Sequence, residues 1–167
     1  VVVTPPALCL EICLEAVKER KPILIEKPLA PTGREARMMV AAAEEAGLLL
    51  MTAQTLRFDS AILLLKEHLP KIGRFRYVTF TSRIEAKASG HLRSPTAGQR
   101  GALLEFGVHL LDLVPFLTGE EVDAVRCELD QLPCVAPDTM AIVQAQTTSG
   151  LRCIFDVARV EAGRVAR

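Results

Sequence analysis

Three short apolar runs, Val1-Val2-Val3, Ile23-Leu24-Ile25 and Leu48-Leu49-Leu50-Met51, are separated by two segments with the period of a helix. That alternation of strand and helix, with short links, admits few folds. Crossovers of this length are right-handed and join parallel neighbours, so residues 1–55 are expected to form part of an open parallel α/β sheet. Thr4-Pro5-Pro6 breaks the first run and suits the first turn of a helix over residues 7–20, where Glu11, Glu15, Lys18 and Glu19 gather on one face. Lys21-Pro22 stops it. The second helix opens on Thr32-Gly33-Arg34-Glu35, a capping box, and Gly47 stands where a left-handed cap would end it.

The three strands run out at Thr4, at Glu26-Lys27-Pro28 and at Thr52-Ala53-Gln54. These polar residues should therefore emerge along one edge of the sheet, where open α/β sheets bind ligands. A buried strand that ends on a carboxylate and an amine makes Lys27 a candidate working residue. The plainer reading is a surface Glu-Lys pair at a strand end.

After Gln54 the character changes. Arg57-Phe58-Asp59 leads into a leucine-rich helix through Leu69, expected to be closed by Pro70 and Gly73. Residues 74–85 alternate as a strand with one buried face does, and residues 86–101 form a polar loop of a length that is usually functional. A helix over 102–117, ended by Gly119, precedes strands over 122–129, 139–148 and 151–160, with Ser149-Gly150 as a hairpin turn. Residues 56–167 thus read as a partial α+β domain with an open, mostly antiparallel sheet.

The helix over 102–117 is almost wholly apolar apart from Glu105, His109 and Asp112, which at i, i+4 and i+7 share one face. Burying such groups unpaired is costly, so each should have a partner or line a cavity. Histidine exchanges a proton near neutral pH, and a neighbouring carboxylate orients its ring. The plainer alternative has these groups satisfied by backbone or by an arginine inside the core.

Lysine plus arginine and aspartate plus glutamate number 20 each, so no overall field draws the chain to nucleic acid or an anionic membrane. Half of the 167 residues are hydrophobic, enough for a core, but no run approaches the roughly 20 residues of a membrane span. Five cysteines without Cys-x-x-Cys spacing fit free thiols in the cytoplasm. Cys9 and Cys13 share a helix face without a third ligand nearby, and are read as core residues rather than a metal site. The chain opens inside an apparent strand without methionine, and is expected to be a fragment or processed piece. No Gly-x-Gly-x-x-Gly occurs, so this piece alone should bind a dinucleotide weakly and be inactive.

Taken together, Val3-Thr4-Pro5, Glu26-Lys27-Pro28, Ala46-Gly47, Gln54 with Arg57-Phe58, and Leu104-Glu105-Phe106-Gly107-Val108-His109-Leu110-Leu111-Asp112 closed by Gly119 resemble the NAD(P)-dependent oxidoreductases of the glucose-fructose oxidoreductase, inositol dehydrogenase and rhizopine-catabolism group (Gfo/Idh/MocA). The resemblance implies that residues 1–55 are the rear part of a Rossmann-type dinucleotide-binding domain and 56–167 a substrate-binding and dimerisation domain. It implies catalytic roles for Lys27, at the reacting hydroxyl or carbonyl, for His109 as proton donor and acceptor, and for Glu105 as its assistant. Thr4, Pro5, Glu26, Lys27, Pro28 and Gln54 would contact NAD or NADP, and Arg57, Arg93 and Asp112 a small sugar-like or polyol substrate. A homo-oligomer is expected. Departures are Cys9 where histidine is common, Glu105 where aspartate is usual, Leu92-Arg93 for a frequent Trp-Arg, and a glycine-rich approach reduced to Gly101. They leave open a non-catalytic relative or dimerisation module, and, further off, a Schiff-base enzyme built on Lys27.

Overall fold

The computed structural model of the chain describes residues 1–85, 101–130 and 138–166. It divides into two compact units, Val1–Gln54 and Thr55–Arg167. Among the described residues no helix is long and apolar enough to cross a membrane.

The first unit contains helix α1 (Pro6–Lys18), strand β1 (Ile23–Ile25), helix α2 (Gly33–Glu45) and strand β2 (Leu50–Thr52). β1 and β2 pair in parallel, with Ile23 opposite Leu50 and Ile25 opposite Thr52. The valine run contributes less than a full strand: Val2 alone bridges Ile25, in parallel, its N–H donating to Leu24 O at 2.7 Å while Glu26 N–H donates to Val2 O at 3.0 Å. Val2, Cys9, Cys13, Ile23, Ile25 and Met39 bury the helix–sheet interface. The capping box forms, with Thr32 Oγ1 accepting from Glu35 N–H at 3.3 Å. Glu35 reaches back to the Thr32 hydroxyl, at 2.6 Å, rather than to its amide. Gly47, at φ 64°, ends the second helix in the left-handed region.

The second unit opens with a 3-10 turn (Thr55–Phe58) and helix α3 (Ser60–Ile72), capped by Asp59 Oδ1, which accepts from Ala61 N–H at 2.8 Å. Then come strand β3 (Tyr77–Glu85), a π-helical turn (Leu103–Gly107), helix α4 (Val108–Thr118), and strands β4 (Val122–Asp130), β5 (Met140–Thr147), β6 (Arg152–Ala158) and β7 (Val160–Ala166). The sheet order is β4-β5-β6-β3-β7. β3 and β6 run parallel, and the other three pairings are antiparallel. The expected mixed α/β chain with a parallel first sheet and a mostly antiparallel second one is what the structure contains.

Three local expectations are corrected. Pro70 lies inside α3 rather than closing it: the lost donor and the crowded carbonyl cost the helix locally but do not end it, and it runs on to Ile72 before Gly73, at φ 88°, turns it away. The run over 151–160 is not one strand. It breaks at Arg159, whose side chain turns into the interior, and the chain after it forms β7 against β3. The helix expected over 102–117 does begin at Ala102, but Leu103–Gly107 are π-helical and the regular α-helix runs from Val108 to Thr118. Residues 86–100 of the expected functional loop lie outside the described residues.

One face of the five-stranded sheet carries the core. Phe80 and Phe155 are register partners on β3 and β6, and their rings stack with centroids 5.2 Å apart. Leu110, Leu113 and Val114 of α4 pack onto them together with Val143 and Val157. The other face is open, with Tyr77 57% and Ile142 44% exposed.

Candidate functional site

In the first unit the strand ends meet as the alternation requires. Ala53 N–H donates to Ile25 O at 2.8 Å, which sets the end of β2 beside the end of β1, and the Val2–Ile25 bridge brings Thr4 to the same edge. Thr4, Glu26, Lys27 and Gln54 are all half-buried there, while Pro28 is buried and Pro5 exposed. Lys27 N–H donates to Glu26 Oε2 at 3.2 Å, so the carboxylate folds back over the start of the loop. The Lys27–Pro28 peptide is cis, a detail that spacing alone does not disclose. Cys9 is fully buried, 3.8 Å from both Thr4 Oγ1 and Pro5 O, and so packs beneath the Thr-Pro turn. Cys13 is buried beside it, and both burial and the proximity of Cys9 push its thiol up. The donor set of this edge, a hydroxyl, a carboxylate, an ammonium and a carboxamide at half-buried depth, fits a polar group such as a ribose or a ring carboxamide.

In the second unit the polar stripe is divided between two partners. Asp112 takes Arg57, and Glu105 takes Arg159, whose guanidinium lies 3.1 Å from Glu105 Oε2. The hydrogen bonds from Arg57 to Asp112 raise the guanidinium above its ordinary value. Arg57 also lies over the ring of Phe116, 5.3 Å from its centroid. His109 is the second residue of α4 and half-buried. Arg93 lies outside the described residues.

The π-helical turn alters how Glu105 and His109 relate. Val108 N–H donates to Leu103 O, five residues back. A turn closed by i→i+5 bonds takes more residues per revolution, so a spacing of four, which overshoots one α-helical turn, comes closer to register.

Sequence reasoning missed two residues. Arg159 is 1% exposed and Asp138 8% exposed, and both act on this turn from the sheet. Asp138 Oδ2 accepts from Leu103 N–H at 2.8 Å, and Asp138 O accepts from Ala102 N–H at 2.9 Å. The only available signal for Arg159 was a charge closing an apolar strand run. Among the described residues no group of three histidine, cysteine or acidic side chains could hold a metal ion.

Comparison with known proteins bears on both units. Residues 1–54 match the NAD-binding Rossmann-fold model of an oxidoreductase family, and residues 69–166 match the GFO/IDH/MocA C-terminal domain. The levoglucosan dehydrogenase of Pseudarthrobacter phenanthrenivorans is 29% identical over 126 residues, 71% of this chain and 32% of that protein. The scyllo-inositol 2-dehydrogenase (NADP(+)) IolU of Bacillus subtilis is 31% identical over 129 residues, 73% of this chain and 39% of that one. The crystal structure of GenD2 from gentamicin A biosynthesis, in complex with NAD, superimposes with a TM-score of 0.87 at 25% identity, covering 99% of this chain and 49% of that one. The chain thus spans about a third of these curated relatives and about half of that structure. With both family models matched in order, the chain belongs to the Gfo/Idh/MocA family of NAD(P)-dependent oxidoreductases.

Proposed function

We propose that this chain is part of a dehydrogenase that moves a hydride between NAD or NADP and a sugar, polyol or similar small hydroxylated substrate. The observation that carries the reading is the convergence of Thr4, Glu26, Lys27 and Gln54 at one edge of the parallel strands, in a chain whose family binds NAD. Residues 1–55 serve as the rear part of the dinucleotide-binding domain and 56–167 as a substrate-binding and dimerisation domain. The nicotinamide, when bound, accepts the hydride from the carbinol carbon.

The chain's own residues handle the charge and the proton. Thr4, Pro5, Glu26, Pro28 and Gln54 hold the ribose and ring. The Lys27 ammonium stabilises the alkoxide as the hydroxyl proton leaves, and the His109 imidazole receives that proton. Arg57 and Asp112, tied to one another, present a rigid polar surface to substrate hydroxyls, and Arg93 adds a further cation. The open face of the five-stranded sheet, with exposed Tyr77 and Ile142, pairs with a second copy. The free thiols Cys9, Cys13, Cys127 and Cys153 suit the cytoplasm.

The test uses the full-length protein that contains this chain. Reduction of NAD and of NADP is followed with a panel of sugars and cyclic polyols. Turnover with at least one of them, lowered about 10²–10³-fold in Lys27→Ala, is expected. Failure of the intact protein to bind reduced cofactor at equilibrium would favour a non-catalytic relative or dimerisation module that keeps the fold without dinucleotide binding. Borohydride trapping of substrate on Lys27 would instead reveal Schiff-base chemistry.

A further inference from the structure

One buried charge has no part in the reaction described above. Arg159 is 1% exposed, and its guanidinium contacts two consecutive residues of the π-helical turn: Glu105, at 3.1 Å, and Phe106, whose ring centroid lies 6.0 Å away. Its own N–H donates to Thr139 O at 2.9 Å, which fixes the arginine to the start of β5. The other end of the turn is held from the same place, since Asp138 accepts from Leu103 N–H and Ala102 N–H. Gly101 approaches so closely that a Cβ there would stand 1.4 Å from Asp138 Oδ1. Gly107 closes the turn against the sheet, where a Cβ would lie 2.6 Å from Leu103 Cδ1 and 3.7 Å from Val157 Cγ2. The turn is therefore clamped at its entry by Asp138 and in its middle by Arg159, and His109 follows its last residue by two positions.

An arginine keeps its charge inside a protein, and a buried charge without its counter-ion is strongly destabilising. Glu105 supplies that counter-charge. Glutamate is also one methylene longer than aspartate, and the added reach extends it to an arginine on the sheet. The two residues make one device: a carboxylate held by a buried guanidinium, and a helical turn held by the carboxylate.

We propose that Arg159 is a positioning residue for proton transfer at His109, acting through its ion pair with Glu105 and through the π-helical turn. The proposal rests on the reading of His109 as the proton acceptor.

The experiment compares Arg159→Met, Arg159→Lys, Glu105→Gln, the double variant Glu105→Gln/Arg159→Met and His109→Asn in the full-length enzyme, measuring kcat, KM for the cofactor, and Tm. Arg159→Met should lower kcat about 10²-fold, the effect of misplacing a catalytic group by roughly 1 Å, with the cofactor KM unchanged. Arg159→Lys should restore part of that loss, because it keeps the charge but not the planar guanidinium that packs by Phe106. The double variant should be no slower than Arg159→Met, since both changes break the same link. A lowered Tm with parental kcat in Arg159→Met would make the pair purely structural and overturn the proposal. If Arg159→Met does not fold, parental kcat in both Arg159→Lys and Glu105→Gln overturns it equally. Parental kcat in His109→Asn would instead sink the assignment of the base, and the proposal with it, whatever Arg159 does.

Discussion

Arg57 meets Asp112 edge-on, Nε donating to Oδ2 at 2.7 Å and a terminal N–H to Oδ1 at 2.6 Å, so that a 3-10 turn and α4 are joined across 55 positions of sequence. Two parallel bonds fix orientation as well as distance. Asp112 is only 16% exposed, Arg57 41%. Arg57→Lys and Asp112→Asn should each destabilise the protein by roughly 1 kcal/mol, between the value of an exposed pair and that of a buried charge-assisted bond. Urea titration of the two single variants and the double variant checks this, and additive losses would mean that the pair is not coupled.

Lys27→Ala and His109→Asn act on different parts of the proposed chemistry. Loss of the general base should lower kcat by about 10²–10⁴-fold. Loss of the ammonium should lower kcat by a comparable factor of about 10²–10³, as when one donor to a developing oxyanion is removed. Steady-state kinetics of the full-length enzyme give both numbers, with cofactor affinity measured separately by fluorescence titration.

Gly101→Ala tests a steric statement. The new methyl would meet Asp138 Oδ1 at 1.4 Å and Cγ at 2.0 Å, so the aspartate must swing away and release Leu103 N–H. A loss of about 1–3 kcal/mol is expected from overpacking and the missing cap. Asp138→Ala should be destabilising alone and should erase most of the further effect of Gly101→Ala, as thermal unfolding of the three variants would report.

Glu120 accepts from the hydroxyls of Ser149, at 2.5 Å, and Thr147, tying the end of α4 to the β5–β6 hairpin. These bonds, from Ser149 first, hold its carboxyl below the usual range. A carboxyl depressed by folding stabilises above its unfolded value and loses that contribution as pH falls through the folded one. Glu120→Gln should therefore be destabilising by about 1 kcal/mol or less at neutral pH, given its partial exposure. The difference should shrink in urea titrations as pH is lowered below the ordinary carboxylate range.

Phe155 is wholly buried and stacked on Phe80. Phe155→Ala should remove about 3–5 kcal/mol, the range for truncating a buried aromatic. Chemical denaturation measures it, and a loss under 1 kcal/mol would mean the core collapses around the gap.

The alternating segments of the first unit were legible because each element carries its own punctuation: Pro5-Pro6 before α1, Thr32 and Glu35 at α2, Gly47 after it. The second unit was legible in its strands but less so at their junctions. A charge near the end of an apolar run was the one local mark of Arg159, and it could not disclose that one run becomes two strands there or that its partner, Glu105, lies 54 positions earlier in the chain. The π-helical turn was hidden for the same reason: periodicity assumes one helical pitch, while the extra residue is accommodated by Asp138 and by the close approach of Gly107 to the sheet. Among the candidate residues, Asp112 was readable as a polar group needing a partner, an arginine among the possibilities, but nothing in the sequence singled out Arg57 as that partner.

The parallel pairing of β3 with β6 has a consequence for biosynthesis. The two strands are joined in part by Arg83 and Asp156, 73 positions apart, and β3 lies between β6 and β7 in the finished sheet. On the ribosome, β3 emerges long before either neighbour exists, and closing so wide a loop is entropically slow. Until Ala158 has left the exit tunnel, β3 lacks complete partners at both edges, and the nascent chain presents a strand open to mispairing.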